Sequence, residues 1–88
     1  MGKFRLTFGW ILTEDGYLIS LIKGDNVYKL NEVGRIILSQ LLDGKSENEI
    51  CEYISEKFEV PLEIVRRDFE IFLKKLCELG AIEVTENE

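Results

Sequence analysis

Between Asn26 and Gly44 the chain changes its hydrophobic period, and this change most constrains the fold. Val27, Tyr28 and Leu30 form a short run of strand-forming residues. After Asn31, by contrast, Val33, Ile36, Ile37, Leu41 and Leu42 recur at helical spacing. Asn31 suits the N-cap position, Glu32 suits the positive end of a helix, and Gly44 supplies the positive φ that ends one. Strand patterns lie before this junction and helical patterns after it, so it should join a sheet layer to a helical layer.

Upstream, Phe4, Leu6, Phe8, Trp10 and Leu12 alternate with Arg5, Thr7, Gly9, Ile11 and Thr13, which predicts one continuous strand with a single buried face. Glu14-Asp15-Gly16 reads as a turn, Tyr17 to Lys23 as a second strand, and Gly24-Asp25-Asn26 as the next turn. With Val27 to Leu30 as the third strand, the expectation is an antiparallel meander in the order 1-2-3. Its third strand then lies at an edge unless helix 3 or the C-terminal segment covers it.

Downstream, a first helix is predicted from Glu32 to about Asp43. A second begins at Ser46, where Ser46 and Glu49 have the spacing of a capping box. Ile50, Cys51, Ile54 and Phe58 make its apolar stripe, and Pro61 breaks it while remaining compatible with a new helix start. A third helix should span about Leu62 to Leu79, with Val65, Phe69, Phe72, Leu76 and Leu79 facing the core and Gly80 as the C-terminal cap. Ala81 to Val84 forms either a final short strand or an extension over the core. The fold class is therefore α+β: one domain, residues 1–88, with an N-terminal three-stranded antiparallel sheet followed by three helices.

The chemistry available is limited. At 88 residues the chain makes one domain, and one of this size buries only about 60–65% of its unfolded surface. There is no histidine, and the two cysteines, Cys51 and Cys77, lack CxxC spacing, so neither a metal site nor a cofactor is expected. Both cysteines fall beside apolar positions in predicted helices, which reads as two buried free thiols, with a disulfide geometrically open. The glutamates at 47, 49, 52 and 56 read as a solvated helix face and not as acid–base groups. No Gly-rich phosphate loop is present, so binding is favoured over catalysis and the chain is not expected to be an enzyme.

Net charge is −6 and unevenly placed: residues 1–31 carry four basic and three acidic side chains, residues 32–88 seven and fourteen. The acidic helical half should repel nucleic acid. No apolar run approaches the roughly 20 residues of a membrane span, and the start leads directly into a strand pattern, so a cytoplasmic location without membrane partners is expected. The competing reading is a winged helix-turn-helix DNA-binding regulator over residues 46–84, with Arg66, Arg67, Lys74 and Lys75 on its recognition helix. Glu63, Asp68, Glu70 and Glu78 on the same helix offset those charges, whereas a DNA reader normally shows a net basic face.

The order of elements resembles the PqqD-like family, and so do several spaced segments. These are Tyr28-Lys29-Leu30-Asn31, Ile36-Ile37-Leu38, Leu42-Asp43-Gly44, the Ser46/Ile50 helix start, Asp68-Phe69, Phe72-Leu73 and Leu76 to Gly80. The resemblance covers about Phe4 to Val84 and departs from the common pattern at Pro61, where a better N-cap such as Ser or Asp is usual. It implies a non-catalytic, winged-helix-like peptide-recognition domain of ribosomal peptide modification, either free-standing or part of a larger enzyme. Such a domain binds the leader of a precursor peptide and presents it to a modifying enzyme, such as a radical SAM protein, a cyclase or a leader protease. It further implies strand addition, with the leader pairing along the third strand and lying beside helix 3.

The residues support that mechanism on their own terms, since the third strand is short and carries no proline that would stop it accepting another strand. Tyr28 and Leu30 share one face and Val27 and Lys29 the other; Leu30 is assigned to the core, and Tyr28 to core or pocket. On helix 3 two stripes flank the core residues: Arg66-Glu70-Leu73-Cys77 and Ile64-Asp68-Ile71-Lys75. The second is favoured as the groove wall, because Ile64 and Ile71 are mediocre helix formers that packing against a ligand would explain. Asp68 with Lys75 would then fix the ligand's register through charged hydrogen bonds. The alternative packs Ile64 and Ile71 against helix 1 and pairs Asp68 with Arg35 or Lys75. The expected peptide-binding set is Val27, Tyr28, Lys29, Leu30, Ile64, Asp68, Ile71 and Lys75.

Overall fold

The computed structural model describes residues 3–22 and 27–85. Its elements run β1 (Lys3–Leu6), β2 (Trp10–Leu12), β3 (Tyr17–Ser20), β4 (Val27–Lys29), α1 (Glu32–Leu42), α2 (Glu47–Phe58), α3 (Leu62–Leu79) and β5 (Ile82–Thr85). The class is α+β with three helices, as the sequence indicates. The meander is present as β2-β3-β4, and the turn expected at Gly24-Asp25-Asn26 lies outside the described residues.

The single long first strand is corrected. It divides at residues 7–9, where the Trp10 amide donates to the Thr7 carbonyl at 3.0 Å and Gly9 adopts φ +90°. Ile22 lies directly over Gly9, so a Cβ there would come within 2.5 Å of Ile22 Cδ1. Glycine is what allows this bend and close approach. The first half of the expected strand becomes β1, which leaves the meander and pairs antiparallel with β5 in the register Lys3↔Thr85 to Leu6↔Ile82. The segment after α3 is thus a strand, held against the N-terminus. The ladder of β3 also ends at Ser20, earlier than the expected Lys23, which lies outside the described residues.

Helix boundaries follow local chemistry. The Asn31 side chain accepts from the Gly34 amide at 2.7 Å, and Ser46 and Glu49 complete a reciprocal capping box on α2. α2 ends at Glu59 in the left-handed conformation, φ 56° and ψ 49°, a position glycine would occupy at less cost. Pro61 caps α3 without a side-chain hydrogen bond, and Gly80 at φ 78° closes it.

Two apolar clusters meet on α1. Ile37 and Leu41 pack with Ile50, Ile54, Val65 and Phe69 among the helices, while Leu38 joins Trp10, Leu18, Leu76, Ala81 and Ile82 between sheet and helix. Fully burying a side chain such as Phe69 or Leu18 contributes about 1.5–3 kcal/mol. Phe4, Phe72 and Leu73 touch both clusters, which ties the β1–β5 sheet and α3 into one body. Cys51 is buried in the helical cluster as expected, but Cys77 is exposed, and both thiols are free. Cys77 shares a stripe of α3 with Leu73, which packs on both clusters, so helical spacing alone could not separate core from flank at this position.

Candidate functional site: an open strand edge above an apolar groove

The β4 edge follows from its hydrogen-bond phase. The Leu30 amide donates to the Gly16 carbonyl at 2.8 Å, and in the same ladder Leu18 faces Tyr28. Antiparallel strands alternate hydrogen-bonded and non-bonded pairs, so Tyr28 directs its backbone groups at β3 while Val27 and Lys29 direct theirs away from it. The β2–β3 ladder agrees in phase: Leu21 and Thr13 bond Gly9 and Tyr17, so the odd-numbered residues of β3 are committed to β2 and Leu18 to β4. Among the described residues β4 pairs only with β3. β5, which could have covered this edge, is paired with β1 instead.

On its inner face β4 contributes Tyr28 and Leu30. The Tyr28 ring stacks on Trp10 of β2 at 6.2 Å between centroids and 19° between planes, which fixes its position across the sheet. Tyr28 is therefore both packed and groove-lining, resolving the choice between core and pocket. On the outer face Lys29 holds its ammonium 5.1 Å from the Tyr17 ring, and Val27 is half exposed.

α3 faces this inner surface across a groove with two halves. One half, about 230 Å³, lies between Tyr28, Leu30 and Leu18 on the sheet and Leu76 and Leu79 on α3. The other, about 350 Å³, lies between the first turns of α1, at Val33, Gly34 and Ile37, and α3 at Asp68 and Ile71. Asn31, Phe72 and Lys75 border both. The structure thus brings together Tyr28, Lys29, Leu30, Asp68, Ile71 and Lys75 of the residues expected from the sequence. Val27 stands at the start of the edge and Ile64 on the first turn of α3, and neither lines the groove.

The alternative of Ile64 and Ile71 as helix 1 packing does not hold, since they are 45% and 61% exposed. Among the described residues no ion pair joins Asp68 to Arg35 or Lys75, so both groove charges are available to a ligand. Phe72 is the residue the sequence reading misplaced. Assigned wholly to the core, it is only partly buried and stands between the two halves, and its position on the core stripe hides this because one helical turn serves both surfaces.

Burial, reinforced by nearby Glu47 and Glu70 and opposed by Arg66, pushes the Cys51 thiol above its ordinary pKa, the reverse of an activated nucleophile. Among the described residues no group of three or more His, Cys, Asp or Glu could hold a metal ion, and no helix is long and apolar enough to cross a membrane.

A solved structure described as lasso peptide synthetase B1 complexed with the leader peptide superposes with a TM-score of 0.81 at 26% identity, covering 92% of this chain and 98% of its own. A second, TbiB1 in complex with the TbiA(beta) leader peptide, gives 0.76 at 27% identity, with 94% and 99% coverage. No curated protein sequence matches. The family model for coenzyme PQQ synthesis protein D (PqqD) matches residues 15–82, from the β2–β3 turn through α3 into β5, and the chain belongs to the PqqD family.

Proposed function

We propose that this protein binds the leader segment of a ribosomally synthesised precursor peptide by strand addition to β4 and delivers it to a modifying enzyme. The carrying observation is that the outward backbone groups of Val27 and Lys29 stand beside an apolar groove walled by α3. A peptide pairing with them gains backbone hydrogen bonds, each worth about 0.5–1.5 kcal/mol net, and the groove then selects among side chains. Leader residues opposite Tyr28, and those two positions on either side, would face the groove; the intervening ones would face outward with Val27 and Lys29. Asp68 and Lys75 offer one charge of each sign to set register.

Support comes from the two structural neighbours, both leader-peptide complexes of nearly this chain's full extent. The chain acts as one recognition unit without catalysis or cofactor. Its partner enzyme belongs to the radical SAM, cyclase or leader-protease classes. The test is calorimetric titration with a synthetic leader and, separately, with the remainder of the same precursor. Saturable binding of the leader alone, with amide shifts over Val27 to Asn31 and along α3, supports the function. Equal binding of both halves, or shifts centred on α2, would overturn it.

A further inference from the structure

Phe72 does more than fill space between the clusters. Its ring stands on the backbone of Gly34: a Cβ at that position would lie 3.2 Å from Cε1 and 3.3 Å from Cζ of the ring, and 3.2 Å from the Asn31 side-chain oxygen. Such contacts are too close for any larger residue without movement, so the glycine in the first turn of α1 is what lets the ring sit there. Glycine inside a helix costs roughly 1 kcal/mol relative to alanine, and the seat it provides explains its presence. The ring borders both halves of the open space between β4, α1 and α3.

We infer that Phe72, seated on Gly34, is a specificity-determining partition, and that the groove takes two apolar side chains of one extended peptide, one on each side of the ring. This rests on the peptide-binding function proposed above. The spacing follows from the walls. Leu76 and Leu79 mark one chamber and Asp68 and Ile71 the other, roughly eight residues apart on α3, or about 12 Å at 1.5 Å per residue. Their shared border at Phe72 and Lys75 brings the chamber centres closer, to about 6 Å at the least. An extended peptide advances about 3.3 Å per residue and turns every second side chain to the groove, so the two anchors fall two or four positions apart. The chamber beside β4 has an entirely apolar α3 wall beyond the shared Lys75, whereas the other also carries Asp68. A cationic tip is therefore favoured in the second, beside Asp68, and disfavoured in the first, where Lys29 and Lys75 both stand.

The test uses the full chain and a displayed library of random twelve-residue peptides, selected against wild type, Phe72→Ala, Phe72→Leu and Gly34→Ala. Wild type is expected to enrich peptides with two apolar positions two or four apart, and truncating either to alanine should weaken binding at least ten-fold. In Phe72→Ala the chambers merge, so the paired pattern gives way to a single large aromatic anchor. If that variant fails to fold, Phe72→Leu keeps an apolar core contact and should shift the aromatic-to-aliphatic preference several-fold. Gly34→Ala moves the ring by a few tenths of an ångström and should disfavour the bulkiest anchors. Folded Phe72 variants that enrich the same peptides in the same order would overturn the partition while leaving peptide binding intact, as would single-anchor peptides from wild type. Wild type enriching no peptide that shifts the amides of Val27 to Asn31 would overturn the binding function, and the partition with it.

Discussion

The two sheets of this small domain treat their edges in opposite ways. β5 closes on β1 over four residue pairs, the Thr85 hydroxyl donates to the Lys3 carbonyl at 3.0 Å, and Arg5 bonds Glu83 at 2.6 Å. β4, of only three residues, pairs on one side only among the described residues. Short edge strands and edge lysines are common protections against unwanted pairing; β4 has both, in its three residues and Lys29, but among the described residues neither proline nor a covering segment. The difference teaches that the C-terminal strand is spent on the structural sheet, which leaves the edge beside α3 open to another chain.

This comparison can be broken or sharpened by substitution. The largest effect is expected from Phe4→Ala in β1, which touches both apolar clusters: a loss of about 2–3 kcal/mol in stability, read from denaturant midpoints. Leader affinity of the folded fraction should remain unchanged. Lys29→Pro should do the reverse. Its amide faces away from β3, so proline fits the edge with little loss of stability but removes a donor and blocks the added strand, weakening leader binding about ten-fold or more. If Lys29→Pro unfolds the protein, or Phe4→Ala abolishes binding while still folded, the division of labour between the sheets fails.

Smaller effects mark the remote elements. Ser46→Ala removes half of the α2 capping box and should cost about 1 kcal/mol in thermal or denaturant stability with no change in peptide affinity. Arg5→Ala breaks a solvent-exposed pair and should cost less than about 1 kcal/mol, diminishing further at high salt. A larger loss would mean that the β1–β5 sheet depends on side-chain charge more than on its ladder.

Much of this architecture was legible in the residues. The caps at Asn31, Ser46 and Gly80 declare themselves chemically, and the helical periods of α1 and α3 are strong because each buries one stripe. The division of the first strand was not legible from hydrophobic alternation, since Thr7, Phe8 and Gly9 continue the period while the backbone turns. The signal was Gly9 itself, whose positive φ and contact with Ile22 have no counterpart in a regular strand. Nor could alternation reveal that β1 pairs with β5, a contact between residues about eighty positions apart. For the site, Tyr28, Leu30, Asp68, Ile71 and Lys75 were identifiable from face and spacing. Phe72 was not, because a residue bordering core and groove at once has the same periodicity as one in the core alone. Ile64 fails for a related reason: it shares a stripe with Ile71 but stands nearly two turns away, beyond the end of the groove.

The most direct test of the open edge is amide hydrogen exchange at Val27 and Lys29, measured with and without a saturating synthetic leader peptide. Without peptide both amides should exchange faster than Tyr28 and Leu30, which donate into β3. With peptide the amides of Val27 and Lys29 should become protected, while those of β1 and β5 keep their rates. Slow exchange at Val27 and Lys29 in the free protein, or peptide-induced protection confined to β1, β2 or α2, would contradict the account.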